Sequence, residues 1–530
     1  MSDVIKKTPS LTNQSTWLLF AKFVGYFFAF LLPLLVVRFL SKEEVGSYRL
    51  IFQIIVNAVG ILPLGFSLSV FYFLSRSKED RSRTILNILL FNFVAGGIAF
   101  AVFFFFPELI GGLLNSEEIT RLAPLAGIVI WLWIFGIFLE IVAVANQEPK
   151  VATVFIILSQ FTKTLLMTCA VFVFASVESI IYAAMVQAGL QIIVLLAYLN
   201  SRFRGFWRSF DPGFLKKQAV YALPFGFAGI LWIMQTDIHN YFVGYRFGEV
   251  GFAIYAYGCF EFPLITMLFE SVSSVMIPKM SEFQSEGRTQ AIIDTTISAM
   301  NKLALAYMPI FVFLMIVSSV FITTLFTKEY AASIPIFRVN LFLIPIYIVM
   351  LDPIARAYGE VGRFLLKFRI VLLALVIAAL WFGIQYFDLT GMIWIVVVSI
   401  AVDRAVTFVK VAKILELKTN QLYLLKDIGL TVIAAGVAGV VLAFFYWFTN
   451  ETLLGFCNNL ADTALQPLGL EKFIGLIGGS FYLGICLAIY APVYLLIVNR
   501  LGLVHEDQKG LLRNALRRPF ATVFGKGGSI

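Results

Sequence analysis

Runs of twenty or more apolar residues recur along almost the whole chain, separated by short polar connections. A membrane-crossing helix needs about 20 such residues, because the hydrocarbon layer is about 30 Å thick. By that measure fourteen spans are predicted, at 15–39, 48–74, 84–106, 121–146, 151–174, 178–200, 218–245, 252–278, 291–325, 331–355, 364–387, 390–412, 425–449 and 473–499. Several contain Pro or Gly, which membrane helices tolerate where neighbours satisfy the freed backbone groups. The first apolar run has no small-residue cleavage site behind it, so it is expected to remain as a spanning helix.

Composition agrees with the pattern. The 530 residues are 60% hydrophobic and 13% charged, with a mean hydropathy of +0.91. A soluble domain is nearer half apolar and a quarter charged, so an all-α integral membrane protein is expected. The net charge of +9 does not imply nucleic acid, because of where the cations lie. Of 40 Lys and Arg, 28 fall in alternate connections and the span ends beside them, beginning with the N-terminus, and seven fall in the others. Lys and Arg concentrate on the cytoplasmic side, which puts both termini inside. Cys169, Cys259 and Cys486 lie in apolar runs and Cys457 in a polar loop, so neither a disulfide framework nor a metal site is expected.

An internal repeat organises the spans. "EEVGSYRL" at 43–50 and "GEVGFAIY" at 248–255 each sit between two spans on the outer face, with six spans from one to the next. A parallel duplication follows. Its parts are a cytoplasmic N-terminus (1–14), an N-lobe of six spans (15–200), a cytoplasmic linker (201–217), a C-lobe of six (218–412), two further spans (425–499) and a basic cytoplasmic tail (500–530). Duplicated lobes that rock about a central site are common in secondary transporters.

Three stretches carry a family resemblance. "YALPFGFAGILWIMQTDIHNYFVGYRFGEVGFAIYAYG" at 221–258 resembles the start of the second lobe in polysaccharide flippases, the O-antigen or Wzx-type branch of the MATE-like MOP exporter superfamily. "LLVVRFLSKEEVGSYRLIFQIIVNAVGILPLGF" is similar to the corresponding first-lobe segment, and "MIPKMSE" at 276–282 to the end of the eighth span. The resemblance implies two six-helix bundles around a central cavity in a bacterial cytoplasmic membrane. It implies alternating access that carries an undecaprenyl-linked oligosaccharide to the outer leaflet, with no cofactor and no enzymatic step. A glycan polymerase or other assembly protein would be a partner, together with membrane lipids, and a proton or sodium ion would supply the coupling.

Such a cargo, an anionic phosphate head with a sugar chain, calls for cations in a wet cavity. Five charged cations lie within the predicted spans: Lys22, Lys163, Lys302, Arg338 and Arg404. Lys163 is 12 residues into its span, about 18 Å deep, too central for its stem to reach water easily, and Lys302 is similarly deep. Both are candidate cavity cations, with an ion pair to a buried acid such as Glu261 as the structural alternative. Lys22 and Arg338 are shallower, about 10 Å in, and serve equally as cavity cations or interface anchors. Arg404 is expected to have a partner on another helix. Asp237 and Glu261 are candidate coupling acids, Asp237 being the one that matches the resemblance, although it serves equally to lock helices together. Glu270 and Asp352 are expected to pair with Lys279 or Arg356, and His239 to be a satisfied interior histidine.

Other functions leave different marks. A drug or cation exporter of the same fold needs buried acids to attract its cargo, whereas here the first span holds Lys22. A peptidoglycan-precursor flippase shares the cationic cavity but not its longer first-lobe signature. A glycan polymerase or ligase needs an acidic or metal cluster that the chain lacks, and a scaffold without transport leaves Lys163 and Lys302 unexplained.

Overall fold

The computed structural model describes residues 11–76, 80–417 and 423–503, all helix and connection with no strand among them. The expected tail 500–530 therefore lies mostly outside the described residues, as does most of the N-terminus 1–14. The first helices are α1 (Leu11–Phe39), α2 (Lys42–Ile61), α3 (Phe66–Arg76), α4 (Asp80–Phe105), α5 (Pro107–Gly112), α6 (Glu117–Ala145), α7 (Pro149–Phe174), α8 (Val177–Arg202) and α9 (Pro212–Gly258). There follow α10 (Pro263–Ser285), α11 (Thr289–Phe326), α12 (Ser333–Asn340), α13 (Leu343–Tyr347), α14 (Asp352–Ala357), α15 (Gly359–Tyr386), α16 (Leu389–Ile414), α17 (Lys426–Thr449), α18 (Thr452–Leu465) and α19 (Ile474–Arg500).

Local chemistry sets where these helices begin. Ser41 caps α2 by accepting from the Glu44 backbone N–H while the Glu44 carboxylate accepts from the Ser41 N–H, a reciprocal pair. Ser116 caps α6 and Ser176 caps α8 through their hydroxyls. Asp211 caps α9, where Pro212 occupies the first turn and loses no bond.

Twelve helices among the described residues are long and apolar enough to cross a membrane, rather than the fourteen expected; α2 and α3 count as one of these. The other two predicted spans, 252–278 and 331–355, are broken. The first is non-helical at Phe260–Phe262, immediately before Pro263, where proline disfavours a helical predecessor. The second divides into α12, α13 and α14, with Pro335, Pro345 and Pro353 spread across it. α12 supplies donors beside the first break: Asn340 Nδ2 donates to the Phe260 carbonyl inside it at 3.2 Å, and Ser333 Oγ adds a bond to Ile254 O of α9 at 2.6 Å.

Both breaks coincide with boundaries between two compact units. The first unit takes in the described residues up to Phe260 with Leu325–Asn340 and Phe368–Ser399. In it α1 packs on α7, α4 on α6, α6 on α8, and α2 along α9. Within α9, Gly248 has a φ of +63° and reverses the chain, a conformation that favours glycine. The two arms fold back together, so that Tyr255 Oη lies 2.9 Å from His239 Nδ1. His239 is thus a buried, bonded interior residue, as expected.

The α2–α9 seam is antiparallel and close at both ends. A side chain at Gly46 would collide with the Glu249 backbone, so the two copies of the Glu-Val-Gly repeat touch. At the other end the string Leu-Pro-x-Gly-Phe occurs twice, at 62–66 and 223–227. These strings meet as well: a Cβ on Gly65 would strike the Ala222 carbonyl, and one on Gly226 the Leu64 backbone.

The second unit comprises Glu261–Thr324, Leu341–Lys367 and the described residues from Ile400 onward. Tyrosine hydroxyls pin its helices to one another through backbone carbonyls. Tyr494 donates to Leu305 O at 2.8 Å, Tyr307 to Ile265 O at 2.7 Å and Tyr490 to Ala435 O at 3.3 Å. Asp352 at the start of α14 pairs with Arg404 of α16 at 2.5 Å, not with Lys279 or Arg356 as the sequence suggested. Arg404 thereby has the partner expected of it on another helix.

Candidate functional site

Two adjoining recesses in the first unit meet at Lys163. One, of about 220 Å³, is lined by α1, α2 and α7 and includes Arg49, Gln53, Gln160, Lys163 and Thr164. The other, of about 240 Å³, is lined by α2, α6, α7 and α8 and includes Trp133, Glu140, Ser159, Gln160, Lys163 and Gln191. Lys163 Nζ stands 4.2 Å from the centre of the Trp133 ring.

The amides and hydroxyls around Lys163 are held in a network. Trp133 Nε1 donates to Gln187 Oε1 at 3.1 Å, and Gln191 Nε2 bonds Ser159 Oγ. Thr164 Oγ1 donates to Phe28 O of α1 at 3.0 Å. Arg49 enters the first recess from α2, its guanidinium 5.4 Å from the Tyr257 ring centre. Two cations, one carboxylate, a Trp ring and a row of amides therefore line two neighbouring recesses that share Gln160 and Lys163. That chemistry suits a ligand with an anionic group and many hydroxyls.

Energetics sharpen the point. An ammonium at the bilayer centre costs ~2.5–3.5 kcal/mol on insertion scales. A cation–π contact returns about 0.5–2 kcal/mol, which leaves part of that cost without compensation.

The other candidates lie in different places. Lys22, exposed on α1, is within electrostatic reach of Glu140, a recess residue. Asp237 accepts a bond from Gln53 Nε2 at 2.9 Å, and Asn57 Nδ2 donates to Tyr241 Oη at 3.0 Å, so both pairs bridge α2 and α9 midway along the seam. Arg338 is exposed on α12 of the first unit. Lys302 and Glu261 belong to the second unit; Lys302 lines a recess with Asp294 and Asp427, and Glu261 lies in the break before α10.

Sequence reasoning passed over Arg49, Glu140 and Trp133. Arg49 lies at a predicted span edge, where it reads as an outer-face cation. Glu140 follows "WLWIFGIFL", a charge inside an apolar run, and that signal was there to be used.

Over residues 34–335, more than half of the chain, the sequence matches the profile of a family described as polysaccharide biosynthesis protein. The chain belongs to that family. This family member shares its fold with solved transporters. It is similar to lipid II flippase MurJ in an inward closed conformation, with 15% identity over 96% of this chain and 100% of that one and a TM-score of 0.63. It is similar also to an inward-facing multidrug resistance MATE transporter of the MOP superfamily, with 15% identity, 74% and 94% coverage and a TM-score of 0.59. A third likeness is to a MOP superfamily transporter from Pyrococcus furiosus whose binding pocket is described as reversed in polarity, with 15% identity, 76% and 95% coverage and a TM-score of 0.54. No curated protein matches the chain in sequence. This polysaccharide biosynthesis protein is thus a multi-pass membrane protein of MOP-transporter fold, and the solved proteins it resembles are transporters and a flippase, not enzymes.

Proposed function

We propose that the protein flips a lipid-linked oligosaccharide from the inner to the outer leaflet of a bacterial cytoplasmic membrane, for surface polysaccharide synthesis. The observation that carries this reading is the hollow in which Lys163 and Arg49 stand among amides and the Trp133 ring, in a member of a polysaccharide biosynthesis family. The phosphate or pyrophosphate head rests on the two cations, and the sugars use the amides and the indole face. The isoprenoid chain, undecaprenyl in the family resemblance, stays in lipid. Lys22 stands by at the cytoplasmic mouth and Arg338 on the outer side. Lobes 15–200 and 218–412 rock in alternating access, both termini lie in the cytoplasm, and a proton or sodium ion exchanged at Asp237 or Glu261 drives the cycle. A glycan polymerase receives the product.

Two cations on an anionic cargo favour this reading over cation export. Losing one member of a desolvated charge pair costs about 2–5 kcal/mol, so Lys163→Ala should lower flipping of a fluorescent lipid-linked oligosaccharide in vesicles at least about tenfold. Arg49→Ala should do the same, with Lys163→Arg retaining most of the rate. Unchanged flipping in both alanine variants, at equal protein level, overturns the assignment. Efflux of a cationic dye in the same vesicles, lost on Glu140→Gln, would instead make this an exporter.

A further inference from the structure

The second unit contains a divided hollow that the cargo site does not use. Its polar half, about 190 Å³, lies against the first turns of α11 and α17 and includes Asp294, Ser298, Asn301, Lys302, Asp427 and Thr431. Its apolar half, about 240 Å³, is walled by Ile293, Ile297 and Met300 of α11, Ile354 of α14, and Phe408 and Val411 of α16. Ile297 and Leu424 line both halves, so the two adjoin. The one hydroxyl on the apolar wall, that of Thr296, is spent on Ile292 O at 2.7 Å.

The polar half is unsatisfied in a specific way. Among the described residues neither Lys302 nor the Asp427 carboxylate has an ion-pair or side-chain hydrogen-bond partner. Asn301 Oδ1 is buried and accepts no bond. Asp294 and Asp427 are the sixth and second residues of their helices, at the level where a spanning helix meets lipid headgroups. Lys302 lies about 12 Å further along α11, and its stem can turn back toward that level.

One ammonium against two carboxylates leaves the recess net negative, which repels a purely anionic head. A simple cation would answer the carboxylates but leave Lys302 without a counter-ion. A zwitterion meets both conditions, and the adjoining groove of branched aliphatics asks that it carry a hydrocarbon chain.

We propose that this hollow seats a zwitterionic aminophospholipid, its phosphate on Lys302, its ammonium between Asp294 and Asp427, and one acyl chain in the apolar half. The site stands apart from the cargo reading and does not require transport. Native mass spectrometry on the delipidated full chain tests it, with phosphatidylethanolamine, phosphatidylglycerol and phosphatidylcholine of identical chains, and with a polyprenyl phosphate. A primary ammonium donates hydrogen bonds to the carboxylates that neither a quaternary ammonium nor a glycerol head can match in charge and N–H donors together, so phosphatidylethanolamine should bind about tenfold or more tightly than either other phospholipid. Lys302→Ala, and Asp294→Asn with Asp427→Asn, should erase that preference. Equal binding of phosphatidylethanolamine and phosphatidylglycerol, or full retention in the variants, overturns the proposal. So does displacement by polyprenyl phosphate at equal concentration, which makes the groove part of the cargo path. The comparison of phosphatidylethanolamine with phosphatidylcholine, which lacks the N–H donors, needs no variant and stays decisive if a variant fails to fold: equal binding of the two overturns the proposal.

Discussion

That Lys163 would line a recess was legible in the sequence, because a charge deep in an apolar run is costly to leave in lipid. Arg49 was not, because charges at span edges are ordinary and its direction depends on how α2 is rotated. The Asp352–Arg404 pair was half legible: each charge called for a partner, but 52 residues separate them and only the packed helices select the match. Asp237 carries two readings that one substitution separates. Asp237→Asn keeps an oxygen to accept from Gln53 Nε2, so the helix contact persists while the titrating charge is lost. If Asp237 couples transport to an ion gradient, the variant should fold normally yet flip cargo at one rate with or without a proton or sodium gradient. A gradient response equal to that of the parent removes Asp237 from the coupling role. Interhelical hydrogen bonds in membranes contribute only about 0.6 kcal/mol on average, so stability alone should barely register the change.

At the scale of helices, hydropathy predicted the elements well and their interruptions poorly. Segments 252–278 and 331–355 average out as apolar spans, yet each is broken at prolines, since an average over some twenty residues is blind to one missing N–H. Broken helices within a membrane are tolerated where other groups satisfy the freed backbone, and Asn340 does so for Phe260 here. The Leu-Pro-x-Gly-Phe string, present twice in plain view, acquired meaning only when its two copies met. Gly65, at φ +79° against the Ala222 carbonyl, has no room for a side chain. Gly65→Ala combines backbone strain of about 1–3 kcal/mol with that collision, and should lower the thermal unfolding temperature of the purified protein by several degrees. Gly229→Ala, inside α9 where a Cβ meets nothing within 4 Å, is the control and should leave it unchanged or slightly raised, since alanine favours the helix.

For the whole molecule, apolar length carried the helical membrane class, a property that a chain cannot hide, and the resemblance at the quoted stretches carried the family. The sequence did not carry which residues share a hollow, since that depends on helix rotation. The seam between α2 and α9 has one more consequence. Backbone meets backbone at Gly46 and Gly65, and the Gln53–Asp237 and Asn57–Tyr241 pairs close the stretch between them. A hydrocarbon tail wedged there would strand four polar groups in oil, at about 1–3 kcal/mol each. This wall is therefore sealed to the tail of any lipid cargo, whose trailing chain must pass through a different side of the bundle. A photoreactive isoprenoid analogue should accordingly label neither α2 nor α9 at positions 46, 53, 57, 65, 237 or 241; adducts there would show that the seal parts during flipping.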